Sequence, residues 1–286
     1  MNIIRMIKHY ISYIPYWVIK PKLNECIKTA PDIVVSFTTY PARINCLPVV
    51  VGSIVRQSLK PDLVVLYLSK EQFEDLEHPI FISLKKQGVI IKLVDDDLRS
   101  HKKYYYAMQE YPNSVIITID DDVVYDKNMI RDLYQSYKKH PHAVSSKRVH
   151  GIKFDKYNRV LSYNEWEYQK TNLIDIENHE LIATGCGGVL YPPKIFNKNC
   201  FNAEVIKDTC LLADDLWLKC MELMNDVPVV LAQSNNYSVR NVWGTLNCGL
   251  ANTNVEQNGN DIQLQNICKY FNLDLYKLVV NSKEVM

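Results

Sequence analysis

Glycine is scarce in this chain, with nine in 286 residues, and none falls in a G-x-G-x-x-G or G-K-[ST] spacing. That excludes the turn that cradles a dinucleotide pyrophosphate, and it excludes a P-loop. Charge of one sign is missing too: Lys+Arg 33 against Asp+Glu 32 leaves a net charge of +1. Such a balance argues against a protein that coats nucleic acid. The eight cysteines (Cys26, Cys46, Cys186, Cys200, Cys210, Cys220, Cys248 and Cys268) form no C-x-x-C pair. Neither a zinc ribbon nor a thioredoxin-type site is therefore expected, and the cysteines read as buried thiols in a reducing compartment. No uninterrupted apolar run approaches the ~20 residues of a transmembrane helix. No internal repeat or low-complexity segment is visible.

What is present suits a globular, cytosolic protein: 47% apolar and 23% charged residues are enough for a sizeable core. Residues 1–30 stand apart, with Arg5, Lys8, Lys20, Lys22 and Lys28 against Glu25 alone. On a helix, Ile3, Ile4, Ile7, Ile11, Ile14 and Val18 share one face, flanked by Met6, Tyr10, Tyr13 and Trp17. A basic amphipathic helix of this kind suits an anionic membrane interface, and it equally suits packing on the domain. The main domain is expected over 31–245, followed by a helical tail over 246–286.

From residue 31 the pattern alternates between strands and helices. Strands are expected at Ile33–Phe37, Leu63–Leu68, Val89–Val94 and Val115–Ile119. Helices are expected at Val49–Ser58, Glu71–Gln87 and Tyr104–Glu110, with another near Asn128–Lys138. This alternation implies an α/β fold with a mainly parallel sheet, whose ligands bind beyond the carboxyl ends of the strands.

Three strings of residues lie where chemistry would be done. Asp120-Asp121-Asp122 directly follows an apolar strand. Alternation along an extended chain would put Asp120 and Asp122 on one side, as a ligand pair for Mg²⁺ or Mn²⁺. Asp214-Asp215 opens a helical pattern, where the dipole favours acids and where a carboxylate can also accept a proton. Ala183-Thr184-Gly185-Cys186-Gly187-Gly188 gathers three of the nine glycines, which permits close approach of backbone to a ligand. Asp95-Asp96-Asp97 reads mainly as a solvated turn neutralised by Lys102 and Lys103, either of which could reach a nucleotide. The basic stretch Lys138–Arg159 reads as a solvated face.

Together these segments resemble the GT-A nucleotide-sugar glycosyltransferases, in particular the family-2-like bacterial capsule and lipopolysaccharide enzymes. Val34–Arg43 is similar to the family's uridine-contacting opening, Val115–Asp122 to its D-x-D strand, Thr184–Tyr191 to its donor-sugar and acceptor segment, and Ala213–Leu218 to its acidic pair. The resemblance implies a Rossmann-like single domain with nucleotide and acceptor halves. It implies a UDP-sugar donor, a glycan or lipid-linked glycan acceptor, and hexosyl or N-acetylhexosaminyl transfer with inversion at the inner face of the cytoplasmic membrane. Thr38, Thr39, Tyr40, Arg43, Lys102, Lys103, Asp120, Asp121, Gly187, Gly188 and Arg240 are then expected around the nucleotide-sugar. Asp120 and Asp122 are expected at Mn²⁺ or Mg²⁺, and Asp215 with Asp214 at the proton transfer. No His follows His179 to serve as a late metal ligand, so Arg240 is the expected partner of the diphosphate. Paired acids on an α/β sheet also suit a nucleotidyltransferase acting on sugar phosphates, or a non-enzymatic cation-binding module.

Overall fold

The computed structural model describes residues 32–232, 238–242, 245 and 258–281, together with Tyr13, Tyr16, Lys22 and Leu23. Four parallel strands build the first half: β1 (Ile33–Thr38), β2 (Leu63–Ser69), β3 (Ile90–Val94) and β4 (Val115–Thr118). They lie in the order β3-β2-β1-β4. Their side chains alternate between two apolar layers, as strands buried on both faces require. Val35, Phe37, Leu66 and Ile117 face helices α1 (Leu47–Ile54), α2 (Pro79–Lys86) and α4 (Met129–Lys139). Val34, Val65, Tyr67 and Ile116 pack with Ala107 of α3 (Lys102–Glu110) on the opposite face. All eight residues of α1 are buried, so it is a helix enclosed by the core and needs no polar stripe.

The helix expected over Glu71–Gln87 is realised only at α2. Pro79 lacks an N–H and cannot sit inside a helix, but it suits the first turn. There His78 Nδ1 accepts from the Ile80 N–H at 3.3 Å, which caps the helix.

The second half converts the sheet to a mixed one. β9 (Val189–Tyr191) runs antiparallel between β4 and β5 (Val144–Ser146). β10 (Val229–Leu231) lies parallel to β5, and β7 (Glu177–Asn178) closes the edge antiparallel. A separate antiparallel pair joins β6 (Val149–Gly151) to β8 (Leu181–Ala183). Helices α5 (Ala203–Thr209), α6 (Asp214–Met224), α7 (Gly259–Phe271) and α8 (Leu275–Asn281) share a second apolar cluster with these strands. The basic stretch is solvated at its two ends, where Lys138, Lys139, Lys153, Lys156 and Arg159 are exposed, and it is buried between them. Lys147, Arg148 and His150 are 6%, 8% and 4% exposed, because this segment runs through β5 and β6 into the interior.

Candidate active site

Strand β4 ends at Thr118, and Asp121 and Asp122 lie in the turn beyond it. The alternation expected of an extended chain does not carry through that turn. Arg43, from the 3₁₀ turn Pro41–Cys46 after β1, places its guanidinium on both Asp121 (2.8 Å) and Asp122 (3.0 Å). Thr39 Oγ1 donates to Asp121 at 2.5 Å. Asp121 is thus the carboxylate most enclosed by protein donors. Asp120 faces the other way, accepting from Lys103 Nζ at 2.8 Å while its backbone N–H donates to the Tyr125 hydroxyl at 2.8 Å.

Lys103 joins the two acidic strings. The residue is 4% exposed, and its ammonium also lies 2.9 Å from Asp214 at the start of α6. The neighbouring Asp215 receives the Gly185 backbone N–H, 3.2 Å from each of its oxygens. Gly185 leaves room for the Lys103–Asp120 contact: a Cβ there would stand 2.9 Å from Lys103 Nζ and 3.0 Å from Asp120 Oδ1, so the ion pair would have to shift. Strand ends, glycine turn and helix start therefore converge on one ammonium.

Among the described residues, Arg43 and Lys103 are the cations in direct contact with these five carboxylates. The remaining negative charge appears as displaced ionisation. Burial pushes Asp122 up to about 7, with Asp120 and Asp121 adding to the shift against Arg43. Burial and the neighbouring Asp214 push Asp215 up to about 8, against Lys103. Burial pushes Asp214 up, but Lys103, His101 and Ser100 together hold it below the usual range. Lys103 stays protonated despite burial, held by Asp120, Asp214 and Asp215. The two carboxylates on α6 titrate as a unit, one ionised early and the other late.

No three His, Cys, Asp or Glu side chains among the described residues form a preformed metal cage. The aspartate turn fits a more open arrangement, in which a hard cation takes one or two carboxylates and fills its other positions with water and ligand oxygens. Asp122, 16% exposed in its side chain and held above the usual range by burial and then by its acidic neighbours, is the carboxylate best suited to it. Asp120, with a 29% exposed side chain, is the second.

Several expected residues lie elsewhere. Lys102 is 1% exposed with its ammonium on Asp97, so the nucleotide contact expected of it is withdrawn; it neutralises the acidic turn. Thr38 donates to the Tyr67 carbonyl at 2.8 Å and serves the sheet. Gly187 and Gly188 pack against Arg148 and Met129, while Gly185 is the glycine at the carboxylates. Tyr40 lies beside Arg43, whose guanidinium is 5.5 Å from the ring centre. Arg240 is exposed, and its carbonyl accepts from the Val124 N–H at 2.8 Å, which places it next to the aspartate turn. His101, which the sequence did not single out, supports the site from behind. Its Nε2 donates to the Cys210 carbonyl at 2.7 Å and its Nδ1 accepts from Tyr104 at 3.0 Å. Burial lowers it to about 4, so we assign it the neutral tautomer that this bonding requires.

The sequence matches no protein-family model and no curated protein. Solved structures do match. The mannosyltransferase PcManGT from Pyrobaculum calidifontis, in complex with GDP-Man and Mn²⁺, aligns over 97% of this chain and 76% of its own at a TM-score of 0.53 and 11% identity. The chain has the GT-A fold. S. aureus TarS in complex with UDP aligns over 71% of this chain and 59% of its own, with a TM-score of 0.43 and 13% identity. A CMP:2-keto-3-deoxy-manno-octonic acid synthetase complexed with CTP aligns over 79% and 98%, with a TM-score of 0.45 and 10% identity. Within the GT-A fold of this chain, the carboxylate cluster occupies the carboxyl end of β4, where open α/β sheets bind their ligands.

Proposed function

We propose that the chain is a glycosyltransferase that moves a hexosyl or N-acetylhexosaminyl group from a UDP-sugar to a hydroxyl of a glycan or lipid-linked glycan, with inversion, in the synthesis of a bacterial surface polysaccharide. The observation that carries this reading is Lys103, which holds the aspartate turn and the Asp214-Asp215 helix start at one point. A donor site and a proton acceptor have to meet in this way for transfer. The nature of the donor base, the inversion and the pathway rest on the resemblance of the motifs.

In this reading Thr39, Tyr40 and Arg43 border the nucleotide, and Arg240 faces the diphosphate. Asp122, aided by Asp120, would hold Mn²⁺ or Mg²⁺. The chemistry that cation supplies when bound is Lewis-acid neutralisation of leaving-group charge. Asp215 takes the proton of the acceptor hydroxyl, whose oxygen bonds to the anomeric carbon as the bond to the diphosphate breaks and UDP leaves. A carboxyl raised toward neutral pH suits that task, since a general base works best with its pKa near the working pH. Asp214 stays ionised against Lys103 and sets the position of its neighbour.

The test is UDP release from a panel of UDP-sugars with Mn²⁺, set beside pyrophosphate release from NTP plus sugar phosphate. We expect UDP release that a chelator abolishes and Mn²⁺ restores. Asp122→Ala and Asp215→Asn should each lower it by roughly 10²–10⁴-fold in folded protein. Pyrophosphate release instead would make the protein a nucleotidyltransferase, and near-normal turnover by Asp122→Ala would remove the aspartate turn from the mechanism.

A further inference from the structure

The two residues that flank Gly185 carry a second device. Arg148, 8% exposed, donates from Nη1 to Thr184 Oγ1 at 2.8 Å and contacts Cys186 Sγ at 3.4 Å. Its guanidinium therefore sits on the turn whose central N–H holds Asp215. No carboxylate lies against it among the described residues, and its Nε is buried without a hydrogen-bond partner there. Outward from Arg148 lies the ring of Tyr168, 4.7 Å from the guanidinium carbon. The same ring stacks on His150 at 4.6 Å and an interplanar angle of 27°. Tyr168 is nevertheless 70% exposed, so these two groups back the ring and leave its outer side open.

The segment that carries the ring is held firmly. Gly151 and Glu167 exchange both backbone hydrogen bonds at 2.9 Å, and the Lys170 N–H reaches the Val149 carbonyl at 3.1 Å. The Gln169 N–H donates to His150 Nδ1 at 2.9 Å. Asp261 on α7 accepts from Ser162 Oγ at 2.6 Å and from the Tyr163 N–H at 2.7 Å. Trp166 is buried, with its indole N–H on the Leu161 carbonyl at 2.9 Å. An aromatic ring that rests on Arg148 and His150, is carried by so pinned a backbone and is yet given to solvent suits a flat apolar partner.

We propose that Tyr168, backed by Arg148 and His150, is the platform on which a pyranose ring of the acceptor stacks so that its hydroxyl meets Asp215. The inference rests on the glycosyltransferase reading and adds the acceptor's contact to it. A pyranose ring has an apolar C–H face for the tyrosine and a rim of hydroxyls free for hydrogen bonds. One ring can therefore lie on Tyr168 and keep its hydroxyls free to react.

The probes are octyl β-hexopyranosides (glucoside, galactoside and N-acetylglucosaminide) with the full chain. Saturation-transfer NMR without donor reads binding, and UDP release from UDP-sugar with Mn²⁺ reads transfer. Tyr168→Ala should abolish the saturation-transfer signal and raise the half-saturating glycoside concentration roughly tenfold, with the donor's moved less than twofold. Tyr168→Phe and Tyr168→Trp should restore both. An active wild type whose glycoside dependence is unchanged in Tyr168→Ala would overturn the platform alone, as would donor and glycoside dependence weakening together. Glycoside binding that needs Tyr168, with no UDP release from any donor, would overturn the glycosyltransferase reading and leave the platform standing. No binding and no UDP release by the wild type would overturn both.

Discussion

Asp215 accepts a proton only when ionised, so turnover should rise with pH as a group pushed up to about 8 loses its proton. Lys103 pulls that ionisation to lower pH, and Asp214 pushes it to higher pH. Lys103→Met should therefore move the rising limb of log(kcat/KM) against pH upward, and Asp214→Asn should move it downward. A limb that stays fixed in both variants would remove Asp215 from the proton transfer. The acids of this site were legible in the sequence, because strings of carboxylates at a strand end and a helix start are conspicuous. Lys103 was legible only as one of two adjacent lysines. The choice between them depends on helix phase: one turns toward Asp97 and the other toward Asp120 and Asp214. Gly185 was hidden for a related reason, since three glycines close together do not say which of them the carboxylates approach.

The helix that starts at Asp214 carries a second pair of charges along its length. Lys219 and Glu222 are 2% and 1% exposed and lie 3.4 Å apart, and neither Lys219 Nζ nor Glu222 Oε2 makes a hydrogen bond among the described residues. Burial pushes Glu222 up to about 7 from an ordinary 4.5, against Lys219, and burial lowers Lys219. Between these two values the folded chain holds the Glu222 proton more tightly than the unfolded chain does. Stability from this group is present at low pH and is lost as pH rises through about 7. Replacing both partners with apolar residues removes that loss, and such replacements are often neutral or stabilising by about 1–4 kcal/mol. Urea unfolding at pH 5 and pH 8 should show Lys219→Met/Glu222→Leu gaining on the wild type at pH 8. A double variant less stable than the wild type at pH 8 would mean that the pair contributes net stability. At this scale the early strands were readable because each is a mainly apolar run of four to seven residues between turn signals. The later ones, β5 to β10, have two or three residues each. Two or three residues are too few to show alternation, and only their partners make them strands.

In the whole molecule, the order β3-β2-β1-β4 followed by antiparallel β9 brings the ends of β1 and β4 beside the glycine turn and α6. The first thirty residues bear on that arrangement through the points where they touch it. The isoleucine face expected to bind a membrane lies outside the described residues. Tyr13, however, is 3% exposed and donates to the Asn241 carbonyl at 3.0 Å. Asn241 in turn bridges to Val123, next to Asp122, and the Val242 N–H donates to the Asp122 carbonyl at 2.7 Å. Tyr16 lies so close to α1 that a Cβ on Gly52 would stand 2.9 Å from it, and the Arg56 guanidinium covers its ring at 4.9 Å. Leu23 is buried, with its N–H on the Gln87 carbonyl at 2.9 Å. These contacts tie the segment to the core and to the back of the aspartate turn. No described helix is long and apolar enough to cross a membrane. Deleting residues 1–22 should lower the melting temperature by more than about 5 °C, since each kcal/mol lost is worth roughly 2–4 °C in a chain of this size. It should also weaken the Mn²⁺-dependent thermal shift with UDP, because the backing of Asp122 is lost. Flotation with anionic liposomes, run on the same two proteins, separates the roles. A deletion that abolishes flotation while leaving the melting temperature unchanged would make the segment a membrane anchor with no share in the core.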